Sequence, residues 1–316
     1  MRRWSACAVD GAMRDREPAV SAGLVKGSLW MLAAGVLFSA MAVLVKLGAR
    51  DFSSVELVFY RSLFGFLAIL PGVCFKRQRL RTPYWRWHLS RSVLGTAGVF
   101  LHFFAIATLP LATAVTLTYT APLFLTVLTL LTFRTRPGWV LLSGIALGFV
   151  GVVCLLQPTL GRELLFPALL GLMGGLCGGL AFFSTRELGQ YGEPPWRVVF
   201  YFSAVATVAA GGWMLLHHPR LPSLAAAPVL LGIGASATLA QLAMTRAYKE
   251  GQVLIVGSLS YSTVAFTSLL GIVLWNEWLT PSEWVGLALI VASGVIATVG
   301  SQHQSAPPTG DRCAAS

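Results

Sequence analysis

Ten stretches of about twenty predominantly apolar residues recur along the chain, at about 27–46, 54–75, 90–109, 113–133, 138–156, 164–184, 197–216, 226–246, 252–275 and 282–300. The hydrocarbon core of a bilayer is about 30 Å thick, and a helix that crosses it needs roughly 20 such residues. A soluble domain must instead cover its surface with polar groups, of which this chain has few. Only 11% of its 316 residues are charged and 56% are hydrophobic, against roughly 25% charged in soluble domains. Connections such as Leu109-Pro110-Leu111-Ala112 leave no room for a soluble insertion. The expected fold class is an all-α integral membrane protein with ten transmembrane helices.

Two helix starts carry the capping-box pattern, in which an N-cap hydroxyl and a glutamate three residues on satisfy each other's backbone N–H groups. Ser53-Ser54-Val55-Glu56 opens the second span and Thr280-Pro281-Ser282-Glu283 the tenth, with Pro281 at the first helical position. Residues 1–23 hold Arg2, Arg3, Arg14 and Arg16 but no apolar run before Gly23. They read as a disordered cytoplasmic tail rather than a secretory signal, with Met13 an alternative start. Residues 301–316, rich in Ser, Pro and Ala, read as a second disordered tail.

Basic residues gather in loops that stay in the cytoplasm. With the N-terminus inside, 18 of the 23 Lys and Arg residues fall on the cytoplasmic side, among them Lys76, Arg77, Arg79, Arg81, Arg86 and Arg91. Four (Lys46, Arg50, Arg162 and Arg220) fall outside, and Arg61 is left within a span. A missed span would scramble that asymmetry. Both termini are therefore expected in the cytoplasm, and the chain in the cytoplasmic (inner) membrane as a multi-pass protein. The net charge of +11, which in a soluble protein would suggest a nucleic-acid partner, is accounted for by topology. Cys7, Cys74, Cys154, Cys177 and Cys313 are scattered, without a CxxC pair, so no disulfide framework or metal site is expected.

The two halves match at an offset near 142. Thr118-Tyr119-Thr120 aligns with Ser260-Tyr261-Ser262, Gly144-Ile145-Ala146-Leu147 with Gly286-Leu287-Ala288-Leu289, and Phe133 with Trp275. Each unit holds five spans, an odd number, so the second copy crosses the membrane in the opposite sense. Inverted repeats of this kind mark secondary transporters, with the substrate site at the repeat interface near the midplane. The units are expected at 24–157 and 164–300.

Several stretches carry a family resemblance. They are Arg61, the run Ala105-Ile106-Ala107-Thr108-Leu109-Pro110-Leu111-Ala112-Thr113-Ala114 and the run Tyr119-Thr120-Ala121-Pro122-Leu123-Phe124. In the second half they are Arg246-Ala247-Tyr248 and Trp275-Asn276-Glu277-Trp278-Leu279-Thr280, followed by Gly286 and Gly294. Over about residues 24–300 the chain resembles the drug/metabolite transporter superfamily, specifically proteins with two EamA domains. The resemblance implies ten helices around a central cavity, alternating access, and substrates such as amino acids and other small metabolites. The first unit departs from the family pattern, with Thr135 between Arg134 and Arg136 where a Glu is expected, so only Glu277 keeps that position. The Tyr60-Arg61 context is similar to carriers of S-adenosylmethionine.

Arg61 lies seven residues into its span, about 10 Å below the surface. A guanidinium at membrane depth costs several kcal/mol unless paired, which makes it a candidate for binding a carboxylate or phosphate. The alternative is that it snorkels, or pairs with Glu56 or backbone carbonyls. Tyr201 stands near the equivalent place in the second half. Glu277, at the outer end of span nine, is either a gate or a partner for a helix end. His102 in span three can relay a proton or sit as a satisfied core histidine. Tyr119 and Tyr261 are repeat-related and can offer hydroxyls to a cavity, and Gln241 adds a polar group in span eight. Pro122 frees the Thr118 carbonyl for a substrate, or merely kinks the helix. Gly171, Gly175 and Gly179, like Gly144 with Gly148, have the spacing of close helix packing.

No Asp or Glu falls in the middle third of a span, so coupling through a midplane carboxylate has no residue to use. There is no P-loop, HExxH or GxSxG motif, which removes the signatures of ATP-driven transport and common intramembrane hydrolases. The chain is thus expected to be a non-enzymatic secondary transporter of a small polar or charged, amino-acid-like metabolite, with no cofactor. A non-transporting membrane partner protein or an intramembrane enzyme are the alternatives. The expected partners are the small-molecule substrate and the lipid bilayer, with a homodimer one admissible oligomeric state.

Overall fold

The computed structural model describes residues 16–121, 123–124, 127, 139–156, 162–216, 222–251, 256 and 259–305. These residues form α1 (Arg16–Gly48), α2 (Ser54–Phe75), α3 (Trp85–Thr108), α4 (Leu111–Thr118), α5 (Trp139–Leu156), α6 (Arg162–Gln190), α7 (Pro195–Leu216), α8 (Ala227–Glu250), α9 (Ser262–Trp275) and α10 (Pro281–Ser305). No strand occurs among them. Six are long and apolar enough to cross a membrane: α1, α2, α3, α6, α7, and α8 with the 3-10 turn before it. Helix α1 starts within the segment expected as a disordered tail, and α10 runs on past residue 300.

Polarity is distributed as lipid requires. Phe75, Trp139, Val208, Leu215 and Val273 stand exposed around the outside, while Thr113, Thr116, Thr267 and Ser293 are buried. Buried hydroxyls turn back onto their own helix, as Thr116 donates to the Ala112 carbonyl at 2.7 Å and Thr245 to that of Gln241 at 2.7 Å. Both capping boxes form. The Ser53 N–H donates to Glu56 at 2.8 Å, and the Thr280 N–H to Glu283 at 2.8 Å.

Helices pair across the two halves of the chain: α1 with α8, α3 with α6, α2 with α7, α4 with α9 and α5 with α10. Exchanging the first five helices for the last five maps this set of pairs onto itself. Glycines allow the closest approaches. On α6, Gly174 and Gly178 face Gly98 of α3, while Gly171 and Gly175 face α4. A Cβ on Gly175 would stand 2.8 Å from the Leu117 carbonyl oxygen, nearer than a side chain tolerates.

The pairing defines two ends. One carries the α2–α3 connection with Arg77, Arg79 and Arg81, the α6–α7 turn, and the Arg246 and Lys249 end of α8. The other joins the end of α1 to the starts of α4 and α10 around Glu277. They are called the basic end and the Glu277 end below.

Candidate functional site

Between the halves lies a cavity of about 930 Å³, open solvent at its mouth included. Most of its wall is apolar, with Met31, Met41, Val115 and Met244 among the contributors. The polar and charged side chains in it are few, and they come from both halves.

Arg61 on α2 and Arg91 on α3 are the charged ones, and each is only 4% exposed. Phe202 of α7 stands close to both, its ring centre 5.3 Å from the Arg61 guanidinium carbon and 4.4 Å from that of Arg91. Such stacking favours a desolvated cation by about 2 kcal/mol, less than the several kcal/mol that desolvation costs. Arg91 Nη2 also donates to Gln241 Oε1 at 3.1 Å, a bond from α3 to α8. Arg61 hydrogen-bonds to no described residue, and the Nε of each arginine is buried without a partner. Glu56, considered from sequence as a mate for Arg61, serves the cap of α2. Gly95, one turn beyond Arg91, leaves the space its guanidinium occupies, since a Cβ there would meet that group and stand 3.1 Å from Phe202.

His102 faces the same space, its Nδ1 2.7 Å from the Thr118 hydroxyl. Thr118 also donates toward the Ala114 carbonyl at 3.2 Å, so a proton on His102 Nδ1 leaves Nε2 as an acceptor. Tyr119 sits where the regular hydrogen bonding of α4 ends, and Tyr261 at the matching position before α9. Tyr119 lines the cavity with Thr263, whereas Tyr261 is buried behind the wall and its hydroxyl has no partner among the described residues.

Four sequence candidates thus share the cavity: Arg61, His102, Tyr119 and Gln241. Glu277 is elsewhere, binding Lys46 and accepting the Leu111 N–H at 2.8 Å at its own end of the bundle. Pro122 and Thr135 lie outside the described residues. Tyr201, near the start of α7, is not part of the cavity wall, and its hydroxyl donates to the Leu80 carbonyl at 2.9 Å near the basic end. Arg91 was missed. It counted from sequence as a cytoplasmic loop charge, but α3 begins at Trp85 and carries it inward, where Gly95 four residues on was the available signal.

At the basic end Glu193, just after α6, accepts from Thr82 at 2.5 Å and from Arg197 at 2.7 Å, and His88 Nε2 stands 3.5 Å away. Burial works to raise the Glu193 carboxyl. The hydrogen bonds from Thr82 and Arg197, with the charges of Arg197 and His88, outweigh it and hold the group below its ordinary value.

The EamA-like transporter family matches residues 25–157 and again 165–299. The chain belongs to that family. A pseudopaline exporter of Pseudomonas aeruginosa is 30% identical to this EamA-like protein over 285 residues, 87% of this chain and 94% of the relative. A riboflavin transporter of Vibrio cholerae is 27% identical over 290 residues, 85% of this chain and 91% of the relative. An uncharacterized transporter of Helicobacter pylori is 27% identical over 281 residues, 85% and 93% of the two chains. A solved crystal structure, 19% identical, superposes with a TM-score of 0.65 over 90% of this chain and 100% of that one, a likeness of fold alone. This EamA-like chain is a multi-pass membrane transporter.

Proposed function

We propose that the protein is a secondary, non-ATP-driven transporter that moves a small polar or charged metabolite through its central cavity by alternating access. The observation that carries the reading is the open cavity between the two halves, apolar in most of its wall but holding Arg61, Arg91, His102 and Gln241. Ten spans in two inverted five-helix units, at 24–157 and 164–300, are part of it. The exchange-symmetric helix pairing and the two family-matched segments support this arrangement. The basic end is assigned to the cytoplasm of an inner membrane with both termini inside, because positive loops are retained there.

The substrate is not narrowed to an amino acid in this reading. No described carboxylate lines the cavity to meet an ammonium group, and the same lack disfavours a sulfonium cation such as S-adenosylmethionine. The relatives, named for pseudopaline and riboflavin, point to solutes larger than an amino acid. A non-transporting partner protein would be expected to fill its centre, which the cavity speaks against. Purified protein in proteoliposomes should take up or release a labelled solute down its gradient without ATP. Folded protein giving no flux with any of a broad panel of metabolites would count decisively against transport.

A further inference from the structure

Resting on the cavity being the substrate site, we propose that Arg61 and Arg91 together form a receptor for an organic dianion, a solute with two anionic oxygen groups on an apolar body. Two guanidinium groups face one space and are both nearly fully buried. Each stands close to Phe202, so by those two distances they lie no more than about 10 Å apart. They are near enough for one charge to act on the other. No described side chain balances them. Among the described side chains no carboxylate lines the cavity, and none of the ion pairs found there includes either arginine.

A single buried cation without a counter-charge is costly, and a second one beside it is more so. The neutral amide of Gln241 orients Arg91 without compensating it. The compensating charge must therefore come from outside. The Arg61 Nε is buried without a partner among the described residues, and a guanidinium matches the two oxygens of a carboxylate or phosphate in a planar fork. A monoanion carries one charge and would leave one of the two guanidinium charges uncompensated. A dianion neutralises both. Its body would lie on Met31, Met41, Val115 and Met244, and neutral acceptors or donors at its far end would meet His102 and Tyr119.

The test is thermal stabilisation and equilibrium binding in detergent with isophthalate, phenyl phosphate, benzoate, inorganic phosphate and the neutral isophthalamide as probes. Isophthalate or phenyl phosphate should stabilise the protein, benzoate less, and the diamide not at all. Stabilisation by inorganic phosphate equal to that by phenyl phosphate would overturn the requirement for an organic body. Arg61→Gln and Arg91→Gln should each weaken dianion binding by roughly 30-fold or more, the scale of losing one desolvated charge pair. Without probe, both variants should melt at or above the wild-type temperature, because a buried uncompensated charge has been removed. A lower melting temperature for both, with dianion binding intact, would make the arginines structural and overturn the proposal. Arg61→Lys, which keeps the charge and loses the fork, should bind with intermediate affinity. Dianion binding without flux in proteoliposomes would sink the transport reading and leave this site standing. Flux of a neutral or cationic solute with no dianion binding would do the reverse.

Discussion

At the Glu277 end, one carboxylate holds Lys46 from the tail of α1 and the Leu111 N–H at the start of α4, with Lys46 also 5.2 Å over the Trp275 ring. At the basic end, Glu193 holds Thr82, Arg197 and His88, while Arg197 reaches the Arg79 carbonyl and Tyr84 stacks on Tyr191 at 4.4 Å. Both closures share one feature: a carboxylate from the second half grips a donor from the first, Thr82 at one end and Lys46 at the other. They differ in depth. The Glu193 side chain is 4% exposed, and those of Lys46 and Glu277 are 16% and 22% exposed. A buried carboxylate with several donors is costly to release, whereas a shallower pair competes with water and salt. The Glu277 end is therefore the weaker door, and the cavity should open there first.

Breaking the stronger closure should give the largest effect. Glu193→Ala leaves Arg197 without its ion-pair partner and His88 and Thr82 facing an empty site, a destabilisation of roughly 3–5 kcal/mol that a thermal melt in detergent would register. Glu277→Ala removes one charged acceptor from a shallower place and should lose about 2 kcal/mol. Lys46→Met should change stability by about 1 kcal/mol or less, with a difference that shrinks as salt rises. If Glu277→Ala proves more damaging than Glu193→Ala, the ranking of the two doors is wrong.

The pH response should be the smallest effect near neutrality. Because the native Glu193 carboxyl lies below its ordinary value, its contribution is fully present above the unfolded value near ~4.3. It is lost only as pH falls through the lower native value. The melting difference between wild type and Glu193→Ala should accordingly persist from about pH 7 to 5 and narrow below about 4. A difference that disappears by pH 5.5 would mean that Glu193 is not held ionised.

Much of this is legible in the sequence. The span expected at 54–75 is α2, and the two capping boxes mark helix starts correctly because they depend only on residues three apart. Arg61 stands out because a charge deep in an apolar run is costly unless paired. Arg91 does not, since it follows Trp85-Arg86-Trp87-His88, a stretch whose polarity looks like a membrane interface. Only tertiary packing, with Gly95 making room and Phe202 supplying a face, shows that its head lies inside. Phe202 carried no signal at all, being one aromatic among many in an apolar helix. Glu277 was placed at its end of the bundle, but its mate Lys46 lies 231 residues away in the chain, a pairing no local pattern contains. Tyr119 and Tyr261 were linked by the repeat, and the fold separates them, one lining the cavity and one behind its wall.

Alternating access requires a cavity that faces alternate sides, and the accessibility of one residue in it tests that most directly. Ser260, which lines the cavity, would be replaced by cysteine in a chain otherwise free of cysteine, and a membrane-impermeant maleimide added to one side of sealed vesicles or the other. With Glu277→Gln, labelling from the Glu277 side should rise and labelling from the basic side fall. Glu193→Gln should shift the balance the opposite way. Labelling from the same single side in all three proteins, or from neither side in any, would contradict alternating access.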